Sequence, residues 1–303
     1  MIELQGVSKR YVSLVRRLTV QALADLTLSI PRGEVFGIAG PNGAGKSTML
    51  SILLGYLHPS SGTASIDGRP PRQYIEQHGV SYLTELVAIP PRWTTESALK
   101  RFAAMSGLPG SLAGERVDHA IASLGLAEHR RKQIRQLSKG NLQRVGIAQA
   151  LIAESDLVIF DEPTHGLDPV WTQKFRDIVN DLRCPTRTII IASHNLDELE
   201  RLTDRVAILS QGRLQRIVGA GGTHTGGDYR LALAQASPRL LESFPGAIAV
   251  EGRANEWIVR GEIGELNRQL RRLLDGDVQV TGFYPAHSRL ESEFHAAVGE
   301  RNG

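Results

Sequence analysis

Short apolar runs alternate with longer stretches of helical spacing over the first two thirds of the chain, a pattern that predicts α/β architecture. Val35–Ala39 reads as a buried strand, followed by a glycine-rich turn and a helically spaced stretch, Thr48–Leu57. Leu157–Phe160 and Thr188–Ala192 predict two more buried strands. Helical patterns precede the first (Asn141–Ala153) and separate the two (Trp171–Leu182). Val206–Ser210 predicts another strand, turning through Gln211 and Gly212 into Arg213–Val218.

The pattern changes between Gly219 and Gly227, where five of nine residues are glycine, the composition of a flexible connector. This predicts a domain over 1–218, a linker over 219–227 and a second domain over 228–303. In that second domain the order is strand (Tyr229–Ala234), helix (Pro238–Phe244), strand (Ile248–Glu251), strand (Glu256–Arg260), helix (Ile263–Leu274), strand (Val278–Tyr284). The order βαββαβ matches a small α+β, ferredoxin-like unit, with a last helix over Ser288–Val298.

Composition narrows the classes without naming a function. The 303 residues are 41% hydrophobic and 22% charged, which excludes disordered, collagenous and coiled-coil chains. No run approaches the roughly 18 consecutive apolar residues of a membrane-spanning helix. The start Met-Ile-Glu-Leu-Gln lacks a basic region and an apolar signal core, predicting that the chain is not exported. A single cysteine, Cys184, fits a reducing compartment. The net charge of +3 is spread as arginines among acids, so no nucleic acid partner is expected. The densest basic cluster, His129 to Lys132 with Arg135, reads as a solvated helix face.

The chemistry begins at Gly40, Pro41, Asn42, Gly43, Ala44, Gly45, Lys46 and Ser47, which fit G-x4-G-K-[ST] at every position. The motif lies between a strand and a helix, where its backbone N–H groups and the helix N-terminus can wrap phosphates. Lys46 would reach the β- and γ-phosphates, and Ser47 would ligate Mg²⁺. The strand Leu157–Phe160 ends in Asp161 and Glu162. Carboxylates at the end of a buried strand need partners. Beside a phosphate loop, Asp161 suits an anchor for Mg²⁺ and Glu162 a base that polarises water. His194 follows the strand Thr188–Ala192, at the carboxyl edge where ligands of parallel sheets gather.

These motifs together resemble the ATP-binding subunits of ABC transporters over residues 1 to about 218. Gly40–Thr48 matches the Walker A motif and Leu157–Pro163 the Walker B motif. Leu137, Ser138, Lys139, Gly140 and Asn141, then Leu142, Gln143 and Arg144, sit where the family has LSGGQ-x-QR. Gly166 to Pro169 resembles the D-loop, Ser193 and His194 the switch histidine, and Tyr11 the aromatic that stacks on adenine. The resemblance implies a P-loop ATPase core with a helical subdomain, and ATP and Mg²⁺ as cofactors. It implies Glu162, His194 and Lys46 as catalytic residues. Nucleotide contacts would come from Tyr11, Gly40 to Thr48, Glu85, Ser138, Gly140 and Asp168, and metal contacts from Ser47, Asp161 and Glu85. It also implies a head-to-tail dimer, with a second copy or a paralogous subunit, in which Ser138 and Gly140 touch the partner's γ-phosphate. Dimer closure on ATP would drive an integral membrane permease from the cytoplasmic side of the cell membrane.

Lys139, Asn141 and Glu85 depart from the family's glycine and two glutamines. Glu85, Lys139 and the C-terminal extension resemble the ATPases of ABC-2-type exporters, and residues 87–93 would lie in the permease-facing surface. The competing readings are a soluble ABC-type ATPase acting on nucleic acid or ribosomes, and a non-hydrolysing module. The first lacks its long coiled coil or second P-loop here, and the second is opposed by intact Lys46, Asp161, Glu162 and His194.

Overall fold

The structure, a computed structural model, describes residues 1–13, 18–219, 226–286 and 289–299. Backbone contacts divide the chain into two compact units, Met1–Ala220 and Gly221–Gly303.

The first unit opens with β1 (Ile2–Ser13), β2 (Leu18–Ile30), β3 (Val35–Ala39), α1 (Lys46–Leu53) and β4 (Ser61–Ile66). It continues through α2 (Pro71–His78), β5 (Ser81–Leu83), α3 (Thr95–Met105), α4 (Gly110–Ser123) and α5 (Lys139–Leu151). β6 (Leu157–Asp161), α6 (Pro169–Leu182), β7 (Thr188–Ser193), α7 (Leu196–Leu202), β8 (Arg205–Ser210) and β9 (Arg213–Gly219) complete it.

Six strands form a sheet in the order β5-β6-β7-β3-β8-β9, parallel except for β9 at its edge. Every residue of β3, β6 and β7 is buried, so these strands read as unbroken apolar runs, as strands covered on both faces do. β1, β2 and β4 form a separate antiparallel sheet, ordered β2-β1-β4. Leu4, Leu26 and Leu28 of that sheet share one core with Met49 and Leu50 of α1 and Phe36, Ile159 and Ile190 of the parallel sheet. α1 is therefore held between two sheets, which fixes the direction of its N-terminus.

The antiparallel sheet and α2 to α4 are not legible in the hydrophobic pattern. The β1–β2 pairing is broken by register shifts, with Gly6 and Asp25 at positive φ, so alternation lapses along both strands. The basic cluster at 129–135 is not a helix face. His129 and Arg135 lie on two short 3₁₀ turns, Ala127–His129 and Ile134–Gln136, and Arg130 to Lys132 fall in the turn between them, with Arg130 paired to Glu96 and Asp118.

The second unit contains β10 (Gly226–Leu233), α8 (Arg239–Ser243), β11 (Ile248–Ala249), β12 (Glu256–Glu262), α9 (Ile263–Asp275), β13 (Val280–Pro285) and α10 (Arg289–Gly299). Its antiparallel sheet has the order β11-β12-β10-β13, the strand arrangement of a split βαβ unit. Tyr229, Leu231 and Val259 pack with Leu266 and Leu273 of α9 in a core of their own. The strand begins at Gly226, inside the stretch read as connector, because pairing with Gly261 and Glu262 continues to that point. Residues 220–225 of that stretch, and Ser288, lie outside the described residues.

Candidate nucleotide site

Sheet order assembles the site. β6, β7 and β3 are neighbours, and their carboxyl ends deliver Asp161, Ser193 and the glycine-rich loop to one edge. The loop needs its glycines. Gly45 has φ +105° at the N-cap of α1, and a Cβ there would lie 2.6 Å from the Ala22 carbonyl oxygen. Gly43 is also at positive φ, with open space around it. The helix starts at Lys46 rather than Thr48, so Lys46, Ser47 and Thr48 form its first turn. Lys46 is buried, and its ammonium donates to the carbonyls of Gly40 at 2.6 Å and Pro41 at 3.4 Å.

An open cleft of about 500 Å³ is lined by Pro41 to Thr48, Glu85, Asp161 and Glu162, together with Tyr11 and residues 20–22 of β2. Tyr11 is 42% exposed, with Lys9 5.7 Å from its ring centroid. An exposed aromatic at the rim of a polar cleft offers a face for stacking a base.

The carboxylates differ in their support. Glu162 holds φ +49°, a costly conformation for a side-chain-bearing residue, and its N–H donates to Ala192 O at 2.8 Å. Its Oε2 accepts from Ser193 Oγ at 3.1 Å and lies 2.8 Å from His194 Nδ1. Its Oε1 accepts the His194 backbone N–H at 3.0 Å. His194 is 62% exposed on its side chain, leaving its second nitrogen available. Asp161 is 5% exposed, and burial, with the charges of Glu85 and Glu162, pushes its carboxyl up to about 6, against the opposing pull of Lys46. Such a carboxyl is short of positive charge.

Among the described residues no three His, Cys, Asp or Glu side chains form a ready metal cage. Mg²⁺ seldom uses one. It takes one or two carboxylates and completes its shell with water and substrate phosphates. Asp161 with the Ser47 hydroxyl beside the phosphate loop fits that donor set.

Ser138, Gly140, Asp168 and His194 are not among the cleft-lining residues. Ser138 is the N-cap of α5, accepting the Asn141 N–H at 3.2 Å. Gly140 packs on the Gly166 carbonyl, where a Cβ would approach to 2.9 Å. Asp168 caps α6 by accepting the Trp171 N–H at 2.9 Å. Sequence reasoning assigned no role to Gln143, which is buried and donates to Glu162 O and Pro163 O at 3.2 and 2.9 Å. Its place in the stretch that resembles LSGGQ-x-QR was the available signal.

The parallel sheet, the glycine loop at a helix N-terminus and the paired carboxylates define a P-loop nucleotide-binding protein. The family model described as ABC transporter matches residues 23–165. An uncharacterized ABC transporter ATP-binding protein of Nostoc sp. is 41% identical over 197 residues, covering 64% of this chain and 59% of the relative's length. The Bacillus subtilis protein YdbJ, also an uncharacterized ABC transporter ATP-binding protein, is 32% identical over 310 residues, covering 98% of this chain and 95% of the relative. A fluoroquinolones export ATP-binding protein of Mycobacterium tuberculosis is 34% identical over 219 residues, covering 70% of this chain and 69% of the relative. The dimeric structure of MJ0796, a bacterial ABC transporter cassette, superposes with a TM-score of 0.67 at 25% identity, covering 74% of this chain and all of that one. The chain belongs to the ATP-binding proteins of ABC transporters and has the α/β fold of the ABC ATPase cassette.

Proposed function

We propose that this chain hydrolyses Mg²⁺-ATP as the motor of an exporter whose membrane path is a separate permease. The observation that carries the reading is the Glu162 carboxylate. It lines the phosphate-loop cleft and is gripped through both oxygens by Ser193 and His194.

The P-loop backbone N–H groups of 43–48 bind the β- and γ-phosphates, and Lys46 turns its ammonium from the Gly40 carbonyl to them. Bound Mg²⁺ supplies neutralisation of the phosphate oxygens. Glu162 orients a water and takes its proton as the water oxygen bonds to the γ-phosphorus. The bond from that phosphorus to the bridging oxygen breaks, leaving ADP and phosphate. Ser193 and the His194 backbone keep the carboxylate in place. The second nitrogen of His194, when protonated, donates to the γ-phosphate. Tyr11 stacks on the base.

Ser138, Gly140 and Asp168 stand outside the cleft, and a second copy placed head-to-tail brings them to the first copy's nucleotide. Closure of that dimer on ATP moves the permease, and the subunit works at the cytoplasmic side of the cell membrane. Export is favoured by the likeness to the fluoroquinolones export protein, together with Glu85, Lys139 and the C-terminal unit. No helix among the described residues is long and apolar enough to cross a membrane, in keeping with a permease supplied by another chain.

The test is co-purification with a candidate permease, reconstitution in vesicles and assay of ATP turnover with and without cargo. Cargo-stimulated turnover and outward transport support the reading. Turnover indifferent to the permease, or inward transport, contradicts it.

A further inference from the structure

Asn141 stands where the family's signature has glutamine, and its side chain is bonded at both ends. The directions of those bonds follow from one residue. Arg144 has only donors. Its guanidinium, buried and stacked 4.0 Å from the Trp171 ring centroid, donates to Leu124 O at 3.1 Å, to Gly125 O at 3.3 Å and to Asn141 Oδ1. With Oδ1 committed to Arg144, the amide nitrogen of Asn141 is the atom that meets His129 Nε2, at 3.0 Å. Nε2 must then accept, and the ring hydrogen belongs on Nδ1, which is buried with no hydrogen-bond partner among the described residues. Reversing the amide would face its NH₂ to the guanidinium, donor against donor. Protonating His129 would face N–H to NH₂.

The backbone of Asn141 completes the arrangement. Its N–H donates to Ser138 Oγ at 3.2 Å, so the hydroxyl of that exposed serine keeps its own hydrogen for an outside acceptor. Arg144 reaches the other way. Trp171 lies in the first turn of α6, its N–H held by Asp168, and a side chain at Gly125 would come within 2.7 Å of its ring. The signature serine and the D-loop aspartate are thus tied to one stack.

We propose that Asn141 and His129 are positioning residues: the one-way chain Arg144→Asn141→His129 sets the Ser138 hydroxyl for the partner subunit's nucleotide and locks it to the D-loop helix, and only neutral His129 closes the chain. This rests on the proposed reading that Ser138 contacts ATP across a head-to-tail dimer. Burial together with the charges of Lys132 and Arg144 holds the His129 imidazole below its ordinary value, against the weaker opposing charge of Glu128. The chain is therefore intact at neutral pH and opens on the acid side.

The test compares the full-length protein with Asn141→Ala, His129→Ala and His129→Gln. Steady-state ATP turnover is followed across pH, alongside ATP affinity of the isolated subunit and thermal melting. A glutamine at 129 accepts from Asn141 through its side-chain oxygen and does not titrate. Asn141→Ala and His129→Ala raise KM for ATP in turnover about tenfold, as displaced contact groups do, with unchanged subunit affinity. His129→Gln keeps the neutral-pH kinetics and abolishes the acid-side rise in KM. The proposal is overturned if Asn141→Ala has the parent KM, if His129→Gln keeps the acid-side rise, or if all three variants change only melting. If the parent protein shows no ATP turnover at all, the functional reading itself falls, a result distinct from any of these.

Discussion

Glu162 and His194 are joined twice: Nδ1 of the histidine lies 2.8 Å from Oε2, and its backbone N–H donates to Oε1 at 3.0 Å. One of these bonds survives side-chain truncation and the other does not. His194→Ala therefore leaves the carboxylate anchored by backbone and by Ser193, and loses only the imidazole. Hydrolysis falls by ~10²-fold, in the range for loss of one hydrogen-bond donor to the charge developing on the γ-phosphate, while ATP affinity is retained. Phosphate release at saturating ATP, beside equilibrium ATP binding, checks both halves.

Asp161 ties stability to pH. Its carboxyl titrates near 3.8 in the unfolded chain and at about 6 in the fold. Between those values the folded protein holds more protons than the unfolded one, so stability falls as pH rises through this window. At neutral pH the buried charge costs at most about 3 kcal/mol. In metal-free, nucleotide-free protein, Asp161→Asn raises the urea midpoint at pH 7.5, and the advantage over the parent vanishes near pH 4. The same variant loses Mg²⁺-dependent turnover.

Glu198 is 1% exposed and is paired with Arg176, whose Nε and second amino nitrogen reach its two oxygens at 2.9 and 3.2 Å. The pair joins α6 to α7, the helices that follow the D-loop and the switch histidine. Arg176→Ala strands a buried carboxylate and costs about 3–5 kcal/mol, read from urea unfolding. Replacing Glu198 as well, with Gln, recovers part of that loss.

The second unit has its own apolar core around Leu231, Val259 and Leu266. Removing residues 228–303 leaves a folded ATPase unit, with cooperative melting and ATP binding preserved. Circular dichroism melting and nucleotide titration of the shortened chain check this.

The residues proposed for phosphate chemistry could be picked out from the sequence because they sit where a fully buried, unbroken apolar strand ends. β3, β6 and β7 announce themselves by composition, and Lys46, Asp161, Glu162 and His194 follow from their ends. The antiparallel sheet was hidden because bulges between Leu4 and Arg10 break the period of two. Tyr11 could be found only through resemblance, since nothing local marks an exposed tyrosine on such a strand. Asp168 as a helix cap was implicit in the Asp-Pro pair at the start of α6, a common N-terminal signal. The roles of His129, Asn141 and Trp171 were invisible. Residues far apart in sequence meet in one hydrogen-bonded stack, and no periodicity records such a meeting.

In the proposed cycle two copies close on ATP, and Glu162 opens them by hydrolysis. The cycle is tested most directly by analytical ultracentrifugation of Glu162→Gln with Mg²⁺-ATP, with bound nucleotide measured in the sedimenting species. The expected result is a stable dimer carrying unhydrolysed ATP, reverting to monomer with ADP. A monomer that binds ATP normally, or a variant that still turns ATP over at the parent rate, would contradict it.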